Sequence, residues 1–367
     1  MIKLIGAFYL LTSGFCTMAQ DTLVNDFPLK AFAIESPSRS GLDSFIVFVN
    51  NELAPRGINT IVLRVDYNYQ YKSHPELVEP NALTEADVRK LSLACFSKSI
   101  SIIPQINLLG HQSWAGRLSK LLKVYPQFDE TPWVQMPAQY SWPNADSLYC
   151  KSYCPLHPGI HKIVFELIDE LCDVFKAQAF HAGMDEVFYL GMDKCPRCGG
   201  KNKAELFSGE VKVIRDHLAQ RQRQLWIWGD RLLDGRTTGL GMWEASFNDT
   251  WPAIDIVPKD IVICDWHYER PDKTSVIFAA KGFKVITCPW NIPAVAAAQL
   301  RDIRQFRKES TPEMKERFYG MMQTVWSDLR SFLKNINDHG EPDDQGKGQA
   351  DTFHTIFPVK DPQRAVR

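Results

Sequence analysis

The chain has 367 residues, 45% of them hydrophobic and 23% charged, with 42 basic against 43 acidic side chains and a formal net charge of -1. A balance this even makes no field for gathering polyanions, so nucleic acid is not expected as a partner. The length is ample for a sizeable core, and 11% aromatic content with ten Trp argues against a disordered chain.

The N-terminus reads as an export signal. Lys3 precedes an apolar run over 4–11 that one Gly breaks, and Thr17-Met18-Ala19 supplies small residues before the polar stretch from Gln20. This pattern predicts a secretory signal over 1–19, cleaved after Ala19, and a periplasmic or extracellular protein. The apolar run is too short to span a bilayer, and no later run approaches that length, so no membrane insertion is expected.

Beyond it, short apolar and β-branched runs alternate with amphipathic segments. Strands are predicted at 29–35, 60–66, 102–108, 180–184, 225–229, 261–266, 284–289 and 319–325. Helical periodicity lies between most of them, at 83–98, 160–175, 209–222 and 294–306. The Thr84-Glu-Ala-Asp87 start of the first loosely fits a capping box. The strands are apolar throughout rather than alternating, as when both faces are covered. Eight such strands with intervening helices predict a (β/α)₈ TIM barrel over 20–336 as a single catalytic domain. A doubly wound sheet needs no eighth strand. Neither glycine-rich phosphate loop is present, and no cofactor is expected. The segment from 337 to 367 is polar and Gly-rich at its start, and reads as a C-terminal tail.

The stretch 109–158 is long for a loop and carries Trp114, Trp133, Trp142 and the first of two cysteine pairs. In a barrel it lies on the active face. Export places the eight cysteines after the signal in an oxidising compartment. Cys150 with Cys154, and Cys195 with Cys198 in Cys-Pro-Arg-Cys-Gly-Gly, suit either a tetrahedral zinc site or one or two loop disulfides. Cys95, Cys172, Cys264 and Cys288 sit in apolar runs and read as buried small hydrophobes.

Polar and aromatic side chains gather where the strands stop: Asp66, His111, Asp185-Glu186, Trp228 with Asp230, Trp266 to Glu269, Trp290, and Trp326 with Asp328. A barrel brings these ends to one mouth, so they form one pocket. It holds carboxylates, His and four Trp, without spacing for a catalytic metal. Carboxylic acids to protonate a leaving oxygen and indoles to hold a sugar ring are the chemistry of glycoside hydrolysis.

Four segments, in order along the predicted strands, carry a family resemblance. They are Leu109-Gly110-His111, Cys154-Pro-Leu-His-Pro158, His181-Ala-Gly-Met-Asp185-Glu186-Val187 and Trp326-Ser-Asp328. Together they resemble glycoside hydrolase family 20, the β-N-acetylhexosaminidases, in a compact barrel-only form. The resemblance implies an N-acetylhexosamine-containing glycan as substrate, and substrate-assisted retaining catalysis through an oxazoline.

It also implies roles. Glu186 is the general acid and Asp185 the acceptor of the acetamido N–H, with Asp66 and His111 as a supporting pair. Trp228, Trp266, Trp290 and Trp326 wall the sugar. Tyr268 holds the acetamido oxygen, and Asp328 binds a sugar hydroxyl. The first-strand Arg of the family is missing; either Arg39 or Glu35 takes its place, or substrate recognition has changed. Two rival readings stand beside this one. One is a two-carboxylate glycosidase with Glu244 or Glu269 as nucleophile; the other is a non-catalytic glycan-binding barrel.

Overall fold

The computed structural model describes residues 27–337 and 347–359; the expected signal sequence lies outside the described residues. Eight parallel strands close a barrel: β1 (Leu29–Glu35), β2 (Thr60–Arg64), β3 (Ser101–Leu108), β4 (Ala179–Gly183), β5 (Gln224–Trp228), β6 (Val262–Asp265), β7 (Lys284–Thr287) and β8 (Phe318–Thr324). Each coincides with a predicted run, and β1 pairs with both β2 and β8 to complete the circle.

The two faces of each strand explain its apolar sequence. Ala31, Ala33, Val62, Ile103, Trp226, Trp228 and Met322 pack together inside the barrel. Their neighbours Phe32, Ile34, Ile61, Leu63, Ile227 and Met321 belong to the larger core under the helices. The small Ala31 and Ala33 on β1 leave room for the two indoles of β5, which lies opposite in the strand order.

The outer layer contains α1 (Leu42–Phe48), α2 (Glu85–Phe96), α3 (Ile160–Phe175), α4 (Lys203–Ala219), α5 (Thr274–Ala280), α6 (Pro293–Glu309), α7 (Leu329–Asn337) and α8 (Lys347–Ile356). In α3 the buried set Ile160, Val164, Leu167, Ile168, Leu171 and Phe175 follows a three-and-four spacing. The capping box at Thr84 forms in full: the Asp87 N–H donates to Oγ1 at 3.1 Å, and Asp87 Oδ2 accepts the Thr84 N–H at 2.9 Å. After β5 the outer layer is irregular, with one helical turn (Gly235–Thr238) and a 3₁₀ segment (Trp251–Asp255). Among the described residues no helix is long and apolar enough to cross a membrane.

The expectation of a tail beyond 337 needs correction. Helix α8 packs on the barrel through buried Ala350, Phe353 and Ile356. Phe353 lies 5.4 Å from Phe32 and 6.0 Å from Phe332 between ring centres. Arg56 donates to the Phe357 carbonyl at 2.7 Å. The polar, Gly-rich stretch ahead of α8 hides this, because the apolar residues follow the last predicted strand by more than twenty positions.

Candidate active site

Four loops that leave the C-terminal ends of the strands build the centre of the mouth. Beyond β4 the chain turns sharply through Met184 (φ 68) and Glu186 (φ 49), and beyond β3 through Leu109 (φ 62) and His111 (φ 53). Left-handed conformations at non-glycine residues are costly and persist only where packing imposes them. Gly110 allows the two turns to touch, since a Cβ there would lie 2.7 Å from the Asp185 carbonyl oxygen. These turns set His111 Nε2 3.3 Å from Asp185 Oδ2 and 3.0 Å from Glu186 Oε2.

Asp185 and Glu186 are each 7% exposed. Burial pushes the Glu186 carboxyl above its ordinary range, against the pull of His111 and with the help of Asp185 and Asp230. Burial also acts to raise Asp185, but the His111 imidazole outweighs it and holds this carboxylate below its ordinary range. His111 is in turn raised, its burial being outweighed by Asp185 and Glu186. Within the trio the proton is therefore held more readily by Glu186 than by Asp185. Oδ1 of Asp185 is buried and has no hydrogen-bond partner.

Other side chains hold this arrangement. Asp230 Oδ2 accepts the Glu186 N–H at 2.9 Å and Arg231 Nε at 2.6 Å, and Oδ1 accepts the Trp266 indole N–H at 3.3 Å. Arg231 Nη2 donates to the carbonyls of Met242, Trp243 and Ala245, fixing the loop that carries Trp243. Asp66 accepts the Asn107 N–H at 2.7 Å and so braces the strand end that leads to His111. Asp66 and His111 are thus both present, but the direct contact to Glu186 is made by His111.

The aromatic wall is continuous. Trp228 stands 6.0 Å from Trp326, Trp266 4.9 Å from Tyr268, and Tyr268 5.3 Å from Trp290. The Tyr268 hydroxyl accepts the Trp326 indole N–H at 2.9 Å, and burial raises its pKa well above the ordinary value. It therefore keeps its own hydrogen available to donate.

Several expectations change. Asp328 is exposed and caps α7, accepting the Ser331 N–H at 3.0 Å and the Ser331 hydroxyl at 2.6 Å, so its oxygens serve the helix rather than the mouth. Arg39 pairs with Asp87 at 3.0 Å on the surface. Glu35 does line the site, opposite Arg64 in the β1–β2 register. Arg64 stacks over Trp326 at 4.5 Å, and its buried Nε has no partner. A cavity of about 450 Å³ opens here, lined by Glu35, Arg64, Asp66, Asn107 and His111. It lies beside Glu186 rather than around it. Glu244 accepts from His267 at 2.9 Å and from the Tyr268 N–H at 3.2 Å, so both its oxygens are engaged, and Glu269 is exposed.

Cys150 also departs from expectation. Its thiol donates to the Glu186 carbonyl at 3.3 Å, so it belongs to this site and not with the other three paired cysteines. Tyr149 and Trp243 join the site without any signal in the sequence, and Asp230, expected only as part of a polar strand end, joins it as the acceptor of the Glu186 N–H. Tyr149 stands 5.9 Å from Trp243 and 6.4 Å from His111 between ring centres. Asp230 and Arg231 were visible as a polar strand end, which was the one signal available. His111, Asp185 and Glu186 offer one nitrogen and two oxygens within 4.8 Å, a set able to hold a cation as well as to share protons.

Against known proteins, the family model "Glycosyl hydrolase family 20, catalytic domain" matches residues 65–331. A β-hexosaminidase of Vibrio furnissii is 26% identical over 220 residues, 59% of this chain and 31% of that protein. One from Akkermansia muciniphila is 29% identical over 115 residues, 31% of this chain and 21% of that protein. The chain therefore spans less than a third of the length of either relative. The X-ray structure of Flavobacterium johnsoniae chitobiase is similar in fold, with a TM-score of 0.65 at 18% identity over 90% of this chain and 48% of that one. The β-N-acetylhexosaminidase of Bacteroides fragilis has a TM-score of 0.61 at 17% identity, over 92% of this chain and 68% of that one.

Proposed function

Because this chain belongs to glycosyl hydrolase family 20, we propose that it is an exo-acting, retaining β-N-acetylhexosaminidase that uses its substrate's acetamido group as nucleophile. The observation that carries the mechanism is the buried, unpartnered Oδ1 of Asp185 beside a Glu186 whose pKa is raised. A binder has no need of adjacent buried acids with opposed proton affinities, whereas an acid catalyst does.

Glu186 gives its proton to the glycosidic oxygen as the bond to the anomeric carbon breaks. The acetamido oxygen closes on that carbon, and positive charge develops at the amide nitrogen. Ionised Asp185 accepts the N–H through Oδ1 and stabilises that charge more in the transition state than in the ground state. Tyr268 donates its hydroxyl hydrogen to the acetamido oxygen. Glu186 then takes a proton from water, which opens the oxazoline and restores the configuration. The indoles of Trp228, Trp266, Trp290 and Trp326 enclose the acetamide and the sugar face. Arg64 and Glu35 supply polar contacts to ring hydroxyls, the task expected of the missing first-strand Arg. The N-terminal pattern supports export of the enzyme.

Hydrolysis of aryl β-GlcNAc and β-GalNAc, but not of the aryl β-glucoside, is the expected outcome of a side-by-side assay. A thiazoline mimic of the bicyclic intermediate should inhibit the parent strongly. Asp185→Asn keeps the size but removes the charge, and should lower kcat on the order of 10²-fold and weaken the thiazoline. Glucoside hydrolysis at a comparable rate, or indifference to the thiazoline, would move the assignment to a two-carboxylate mechanism. Binding without any turnover would make the barrel a lectin.

A further inference from the structure

A second cluster lies away from Glu186, where the loop after β3 meets the loop after β4. Cys195 heads a tight turn. Its N–H donates to the Met192 carbonyl at 2.7 Å, and its carbonyl accepts the Gly199 N–H at 2.9 Å. The Cys198 N–H points at Cys195 Sγ, 3.5 Å away. A Cβ at Gly199 would fall 2.6 Å from the Asp193 carbonyl oxygen, which is why this turn takes glycine. Into it reaches Cys154, its Sγ 3.2 Å from Cys198 Sγ and 3.7 Å from Cys195 Sγ.

The fourth member is Glu130, which the sequence pattern did not single out. It is 0% exposed. Oε1 accepts the Met192 N–H at 3.1 Å, and buried Oε2 has no partner. One ligand atom from each of Glu130, Cys154, Cys195 and Cys198 lies within 4.8 Å of the others, and all four residues are buried. A carboxylate held away from water requires a cation or further donors. We propose that Cys154, Cys195, Cys198 and Glu130 bind one structural Zn²⁺ that clasps the two loops together.

The separations discriminate between zinc and a disulfide. Tetrahedral zinc with Zn–S bonds of about 2.3 Å sets its sulfurs about 3.8 Å apart. The 3.7 Å pair fits that, and the 3.2 Å pair needs to open by roughly half an ångström. A Cys154–Cys198 disulfide needs the sulfurs to close by roughly an ångström, to a bond of about 2.0 Å. It also leaves Cys195 and the free Glu130 oxygen buried without a use. Zinc employs all four groups, being borderline-soft and accepting both thiolate and carboxylate. Binding displaces one proton from each of the three thiols to solvent. The site is independent of the glycosidase reading, and its link to the mouth runs through residues 150–154, with Cys150 at Glu186 and Cys154 at the metal.

The full chain, produced in zinc-supplemented medium and purified without chelator, is expected to carry one zinc per molecule by mass spectrometry of the metal. Cys154, Cys195 and Cys198 should all titrate as free thiols once it is unfolded with chelator. Cobalt exchanged into the site should show thiolate-to-metal charge transfer and the visible bands of a tetrahedral ion. Glu130→Gln should fold and bind cobalt, but lose zinc to a competing chelator at least about 10-fold more readily, the scale that even outer partners of a ligand carry. Cys150→Ser should keep its zinc. A folded parent that takes up no zinc, or a peptide crosslinked through Cys154 and Cys198, overturns the site. Equal zinc retention in Glu130→Gln, or loss of zinc in Cys150→Ser, overturns the ligand set.

Discussion

In the proposed mechanism Glu186 carries two burdens, donating a proton and then recovering one. Its replacement by Gln should lower turnover about 10²–10⁴-fold on poor leaving groups, with less loss on a nitrophenyl substrate that needs no proton. Equal losses on both substrates would remove Glu186 from the acid role. Its pH dependence follows from the same geometry. Burial raises Glu186, so the acid form persists at higher pH than for an ordinary carboxyl, and kcat/KM should fall as pH rises through that raised value. Asp185 is held low by His111, so the acid-side fall should lie below the usual carboxylate range. In Glu186→Gln the residual rate on a nitrophenyl substrate should lose the alkaline fall, which a rate profile against pH would reveal.

Among the elements, the end of β6 is pinned to the loop beyond β5 by a buried imidazole. His267 sits between Asp265 at 3.0 Å and Glu244 at 2.9 Å. Burial alone lowers its pKa, but the two carboxylates outweigh it and push it up to about 10 from an ordinary 6.5. The folded state therefore binds this proton more tightly than the unfolded chain. The resulting stability is fully present below pH 6.5 and is lost as pH rises through about 10. Thermal unfolding at several pH values should show Tm declining across that window. His267→Gln should be less stable at neutral pH and should flatten the decline; an unchanged slope would mean the imidazole is not charged in the fold.

For the whole molecule, closure of the barrel is coupled to the last described helix. Gln323 on β8 donates to the Gln349 carbonyl at 2.6 Å, and Gln349 Oε1 accepts the Trp326 N–H at 2.9 Å. Helix α8 thus holds the strand end that carries Trp326, the indole proposed to wall the sugar. Phe353→Ala should cost about 3–5 kcal/mol, as for a fully buried aromatic. It should also raise KM, because α8 anchors the Trp326 wall. Unfolding by denaturant and steady-state kinetics test the two effects separately, and a normal KM at full folding would break the link.

The barrel and the adjacent acids Asp185 and Glu186 were legible in the sequence because both are written locally. Eight apolar runs at regular spacing specify strands covered on both faces, and a strand ending in His181-Ala-Gly-Met-Asp185-Glu186 places two acids side by side whatever surrounds them. Long-range partners are not written that way. Arg64 took the place expected for Arg39 because strand register, not chain position, decides what stands beside Glu35. Asp328 turned to capping because a helix begins directly after it. The cysteine spacing paired Cys150 with Cys154, yet packing sends one thiol to the Glu186 carbonyl and the other to Cys195, Cys198 and Glu130. Spacing sets which residues are near along the chain, while only closure of the barrel and seating of its loops decide which side chains share a buried space and whose charges must balance.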